Sequence, residues 1–202
     1  MKIVVVDGGW GPIDTVRQYL PKEAEFVGYH CHTEEDILAV AKDADAILAE
    51  YSPLSRKVLK ELTKCKIISN SAVGTDNIDI AAATEFKIAV ANVPGYCSYE
   101  VAEHAMALLL AVNRNIVAYE KKIRQGIWDI DSAPPMKRLS GQTLGLIGFG
   151  QIAQLVAQRA LGFGMTVVTY DPYISPEFAA ALNVRLLNVQ EVLEQSDIVS
   201  MH

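Results

Sequence analysis

The 202 residues are 50% hydrophobic and carry 24 acidic against 18 basic side chains, a net charge of −6. That length and apolar content can bury a core in two small domains, and the acidic balance argues against a surface built to hold nucleic-acid phosphates. No apolar run reaches the roughly 20 residues that span a bilayer, and Met1-Lys2-Ile3-Val4-Val5-Val6-Asp7 reads as a strand rather than a secretion signal, so a cytoplasmic protein with no membrane partner is expected.

In chain order, short apolar runs over 3–6, 26–29, 46–48, 67–68 and 88–90 alternate with helical patterns. Strands separated by helices predict a parallel sheet covered on both faces, and five of them predict a flavodoxin-like domain over residues 1–98. Asp7-Gly8-Gly9 ends the first strand without the glycine spacing of a dinucleotide site. Thr33-Glu34-Glu35-Asp36 reads as a helix N-cap with acids in the first turn, and Ile37, Leu38 and Val40 as the buried stripe that follows. His30-Cys31-His32 continues a strand-like run, so alternation puts both histidines on one face and the cysteine on the other. With no second cluster nearby, no metal is expected. Cys31, Cys65 and Cys97 have no C-x-x-C spacing and read as reduced structural thiols.

Asn92-Val93-Pro94-Gly95 breaks the pattern and reads either as an interdomain hinge or as an ordinary turn. A single long helix is expected over 99–125, apolar at Val101, Ala105, Leu108, Leu109 and Val112, with His104 as a packing or interface residue. Its stripe is wide enough to pack on a domain and on a partner subunit, which predicts a homodimer through 101–124. Ser132-Ala133-Pro134-Pro135 reads as a loop. Beyond it come a strand from Leu144, a helix, a strand ending at Asp171, a helix over 176–182, a strand over 184–186, a helix over 189–194 and a strand over 197–202. No solenoid-length repeat or low-complexity tract interrupts them.

The most informative stretch is Leu144-Gly145-Leu146-Ile147-Gly148-Phe149-Gly150-Gln151-Ile152-Ala153, followed by Val167-Val168-Thr169-Tyr170-Asp171. Gly148 permits a tight turn off the strand, Gly150 lets the backbone approach a pyrophosphate, and Ala153 lets the helix pack closely on the strand. The helix start, from Gly150 through Gln151 and Ile152, offers N–H groups and partial positive charge to phosphates. Asp171 lies 23 positions after Gly148, where a carboxylate can accept from the adenosine ribose hydroxyls and would repel a 2′-phosphate. The cofactor is therefore expected to be NAD rather than NADP. A purely structural turn with a solvated acid at the strand end would explain the glycines but not this pairing.

These motifs, with Ala72-Val73-Gly74-Thr75-Asp76-Asn77-Ile78-Asp79, Asn92-Val93-Pro94-Gly95 and Val101-Ala102-Glu103-His104-Ala105, make the chain resemble the NAD-dependent D-2-hydroxyacid dehydrogenases over essentially its whole length. The resemblance implies a flavodoxin-like substrate domain over 1–98, completed by a returning C-terminal segment. It also implies the first part of a Rossmann NAD domain over 99–202, so the chain is expected to be the N-terminal part of a longer polypeptide. It implies hydride transfer between nicotinamide and a small D-2-hydroxy or 2-oxo acid. Backbone N–H groups of Ala72, Val73 and Gly74 would hold the substrate carboxylate. The implied cofactor contacts are Val73, Gly148, Gly150, Gln151, Ile152, Asp171, Pro172 and His202. The family's catalytic arginine, glutamate and histidine correspond to positions beyond His202, so no catalytic residue is expected here and the chain alone is expected to be inactive. By itself the 72–79 segment could equally be an ordinary strand-to-helix connection with Asp76 or Asn77 as N-cap. Glu50-Tyr51-Ser52-Pro53 and Asn70 stand where relatives often carry arginine, which weighs against a phosphate ester as substrate. The alternative within the same resemblance is an NAD-sensing binding protein like the C-terminal binding proteins.

Overall fold

The computed structural model describes residues 1–8, 13–129 and 134–202. By its internal contacts the chain divides into Met1–Tyr96 and Cys97–His202, two residues ahead of the expected 98/99 boundary. Gly9, Ser132 and Ala133 of the expected turn and loop lie outside the described residues.

The first unit alternates β1 (Lys2–Val5), α1 (Ile13–Arg17), β2 (Glu25–Gly28), α2 (Glu34–Ala41), β3 (Ala46–Ala49), α3 (Arg56–Glu61), β4 (Ile67–Asn70), α4 (Ile80–Glu85) and β5 (Ala89–Ala91). The strands form one parallel sheet in the order β2-β1-β3-β4-β5, the flavodoxin-like arrangement. Val4, Ile47 and Ile68 share one row of the register and are fully buried, each contributing about 1.5–3 kcal/mol over an exposed position. α2 starts with a capping box: Thr33 Oγ1 accepts from the Asp36 N–H, and Asp36 Oδ2 accepts from the Thr33 N–H. Its buried stripe is Ile37 and Ala41, with Leu38 and Val40 half-buried beside them. Cys31 is buried between exposed His30 and His32, as alternation required, although β2 stops before them. Cys31, Cys65 and Cys97 are free thiols.

The second unit contains α5 (Ser98–Asn113), α6 (Ile116–Arg124), β6 (Thr143–Ile147), α7 (Gln151–Gly162), β7 (Thr166–Tyr170), α8 (Pro176–Ala181), β8 (Arg185–Leu186), α9 (Val189–Gln195) and β9 (Ile198–Met201). Its parallel sheet runs β8-β7-β6-β9, the first four strands of the doubly wound 3-2-1-4 order. Leu144 and Leu146 of β6 share a core with Ala153, Val156, Ala157 and Ala160 of α7. On the opposite face a Cβ at Gly145 would fall 2.2 Å from Ser196 Oγ and 2.8 Å from Val192 Cγ1, so α9 can approach the sheet there only over a glycine.

The expected helix over 99–125 is two helices. Asn115 takes the left-handed conformation at φ 52°, and its Nδ2 donates to the Pro134 carbonyl at 2.8 Å. Asparagine tolerates that region and gains a side-chain bond, a tertiary gain that periodicity cannot display. The inward face also differs. Ala102 and Met106 are buried and Ala105 and Leu109 flank them, whereas Val101, Leu108 and Val112 are exposed, Val112 to 76%. Close packing of α5 on α7 favours the small face over the larger branched one. No described helix is long and apolar enough to cross a membrane.

Candidate functional site

In the second unit the strand-turn-helix at 147–153 builds an anion cradle. Gly148 has φ 92°, and a Cβ there would lie 2.3 Å from the His202 carbonyl oxygen, so both conformation and space demand glycine. Its N–H donates to the Tyr170 carbonyl at 2.8 Å, carrying the β6–β7 ladder one step past the strands. Phe149 is 1% exposed and meets Phe178 edge-on at 6.4 Å, which pins the turn into the core. Gly150 is the N-cap of α7, without a side-chain cap, and nothing lies within 4 Å of where its Cβ would stand. Gln154 donates its N–H to the Gly150 carbonyl and its Nε2 to the Phe149 carbonyl. Among the described residues the Gly150, Gln151 and Ile152 N–H groups have no acceptor, which leaves donors and the helix dipole open to an anion. Ala153 is fully buried, as close helix packing requires.

Asp171 follows β7 and lies beside this turn. Its Oδ2 accepts from the Phe149 N–H at 2.7 Å and its Oδ1 from the Tyr173 N–H at 2.8 Å. Pro172 and Tyr173 are exposed next to it. His202 donates its N–H to the Ile147 carbonyl at 2.9 Å, and its Nε2 lies 3.0 Å from Ser200 Oγ. These residues fit a dinucleotide: an open glycine, free donors at a helix start and an adjacent carboxylate.

The first unit holds a second set of donors, in the loop between β4 and α4. Three consecutive carbonyls of that loop are tied: Ala72 accepts from the Val93 N–H at 3.0 Å, Val73 from Asn92 Nδ2 at 2.8 Å, and Gly74 from Asn70 Nδ2 at 2.7 Å. The Ala72, Val73 and Gly74 N–H groups have no partner among the described residues, and Val73 and Gly74 are exposed. Asn70 is fully buried, and Asn77 Nδ2 donates to the Ser52 carbonyl at 3.2 Å, lashing this loop to the one after β3. The N-cap of α4 is Asp79, accepting from the Ala82 N–H at 2.8 Å, rather than Asp76 or Asn77. A Cβ at Gly74 would be 3.5 Å from Asp76 Oδ2, ordinary contact, so its small size serves access more than conformation.

Sequence reasoning missed the supports of this loop. Asp7 Oδ2 accepts from the Glu50, Tyr51 and Ser52 N–H groups and its Oδ1 from Ser52 Oγ, shaping the loop after β3. Asn70 and Asn92 hold carbonyls. The only signal for them is a short polar residue directly after an apolar strand, and such residues most often end in solvent.

Residues 106–202 match the family described as D-isomer specific 2-hydroxyacid dehydrogenase, NAD binding domain. A D-3-phosphoglycerate dehydrogenase of Mycobacterium tuberculosis is 40% identical over 169 residues, 83% of this chain and 32% of that protein. A glyoxylate reductase of Korarchaeum cryptofilum is 37% identical over 170 residues, 82% of this chain and 51% of the relative. The chain thus spans between about a third and about half the length of these curated relatives. Among solved structures, an NAD-dependent formate dehydrogenase from Staphylococcus aureus in complex with NAD superposes with a TM-score of 0.83 at 28% identity, covering 100% of this chain and 65% of the other. A glyoxylate reductase from Paecilomyes thermophila gives 0.86 at 26% identity, covering 100% and 64%.

Proposed function

The chain belongs to the D-2-hydroxyacid dehydrogenase family, its second unit being an NAD-binding domain of that family, and from this premise we propose that the protein serves hydride transfer between NAD and a small, unphosphorylated D-2-hydroxy or 2-oxo acid. The Gly150, Gln151 and Ile152 N–H groups hold the pyrophosphate, Gly148 keeps the turn tight beneath it, and Asp171 anchors the adenosine ribose with Pro172 alongside. Val73 and His202 are the further cofactor contacts that the resemblance implies. The Ala72, Val73 and Gly74 N–H groups hold the substrate carboxylate, with their carbonyls already bonded so that only donors face it. When bound, NAD supplies the hydride acceptor. Among the described residues we assign no proton donor for the alkoxide, and we propose that residues 1–202 alone do not turn over. Glu50 and the buried, neutral Asn70 favour an unphosphorylated substrate, because a phosphate ester gains no charge-assisted contact from either.

The observation that carries this reading is the uncapped start of α7 with Asp171 held at its side. Equilibrium titration with NAD and NADP tests it: NAD is expected to bind at least about tenfold more tightly, a difference of about 1.4 kcal/mol. Equal affinities, or preference for NADP, would remove the role given to Asp171.

A homodimer through α5 and α6 is proposed as well. Val101, Leu108 and Val112 on α5 and Val117 and Ile123 on α6 leave an apolar strip in solvent, and a groove of about 830 Å³ runs between α5 and β9. Light scattering on the protein and on Leu108→Lys checks it, a monomer in both cases sinking the proposal.

A further inference from the structure

A carboxylate at the end of β7 is expected to wait for a sugar with both oxygens facing solvent, yet Asp171 is already bonded on each of them. The Phe149 N–H that it accepts belongs to the residue between the two glycines. That residue's ring is buried, and its carbonyl is taken by Gln154 Nε2, so the carboxylate supplies the partner for the remaining polar group of the turn's central residue. The Tyr170 carbonyl, one residue earlier, binds the Gly148 N–H. Tyr170 and Asp171 therefore act as a two-rung extension of the sheet, the first rung made by backbone and the second by side chain.

We propose that Asp171 is a positioning residue for the glycine turn: its carboxylate holds the Phe149 N–H so that the next donors, at Gly150, Gln151 and Ile152, stay aimed at one point before any nucleotide arrives. A carboxylate has about four acceptor sites on two oxygens, so two backbone N–H groups leave room for a ribose diol. The phosphate and sugar ends of the site are thereby coupled through one side chain. The sugar half of this statement rests on the NAD reading above, whereas the hold on the turn does not. Loss of the carboxylate leaves the Phe149 N–H beside a buried ring without an acceptor, which frees the turn.

The test compares the cofactor-free protein with Asp171→Asn and Asp171→Ala by amide hydrogen exchange. Both variants remove the charge, but the asparagine carbonyl can still accept from the Phe149 N–H. The Phe149 amide is expected to exchange about tenfold faster in the alanine variant than in the parent, with the asparagine variant restoring most of the protection, while Leu146 and Val168 stay slow in all three. Equal Phe149 exchange in all three proteins, or the same loss in both variants, overturns the proposal. Inorganic pyrophosphate, which has no sugar, gives the second readout: binding weaker in the alanine than in the asparagine variant supports the positioning role, and equal binding refutes it. Should Phe149 protection depend on Asp171 while NAD fails to bind the parent protein, the cofactor reading falls and the positioning role stands.

Discussion

Two glycines two positions apart should respond oppositely to the same substitution. Gly148→Ala places a Cβ in the left-handed region, costing about 1–2 kcal/mol, and sets it 2.3 Å from the His202 carbonyl oxygen. His202 must shift, which endangers its 2.9 Å bond to the Ile147 carbonyl and adds about 0.5–1.5 kcal/mol. The second unit should lose about 1.5–3.5 kcal/mol in all. At Gly150 the φ of −69° suits any residue and the Cβ position is empty. Alanine is a poorer N-cap than glycine but restricts the unfolded chain more, and these effects, each about 0.5–1 kcal/mol, nearly cancel. Stability should therefore be unchanged at Gly150→Ala while NAD affinity falls about tenfold or more, since the methyl group fills the space kept for phosphate. Urea-dependent hydrogen exchange at Leu146 and Val168 reads the stability of this unit by itself, and calorimetric titration reads the affinity. The reasoning fails if Gly150→Ala destabilises as much as Gly148→Ala, or binds NAD as well as the parent.

Asn70→Ala takes away the buried side chain that ties the Gly74 carbonyl and should cost about 0.5–1.5 kcal/mol in the first unit, with faster amide exchange across the 72–79 loop; an unchanged loop would show that Asn70 only fills space. Burial pushes the Cys65 thiol up to about 11 from an ordinary value near 9.0. The folded state thus keeps a proton the unfolded chain releases, a contribution present below pH 9 and lost as pH rises through about 11. Denaturation midpoints should fall across that range in the parent and less steeply in Cys65→Ala, and at pH 8 a thiol reagent should reach Cys97 long before Cys65. Thr33→Ala removes one half of the α2 capping box and should cost about 1 kcal/mol by chemical denaturation; a neutral result would mean Asp36 holds the helix start alone.

Residues that act through their own backbone were readable in the sequence. Gly148, Gly150 and Ala153 announce a turn by what they lack, and Asp171 by its distance from them; the parallel pairing in both sheets follows from strands spaced by helices. What escaped was tertiary. Asn115 breaks a helix because the carbonyl of Pro134 is in reach, and Ala102 rather than Val101 faces inward because α7 lies close. Asp7 and Asn70 look like ordinary polar residues at strand ends until the loops they hold are seen beside them. The capping residue of α4 was misplaced for a related reason: three acceptors, Asp76, Asn77 and Asp79, stand close together, and local pattern cannot say which one the helix chooses.

Because the Ala72, Val73 and Gly74 carbonyls are each already bonded, the grip proposed for this loop would be made of main-chain N–H groups and so be nearly indifferent to the side chain carried at Val73. On the proposed reading, exchange of Val73 would retune what shape of tail is welcome, while the proposed hold on a negative head group would pass intact from one descendant to the next.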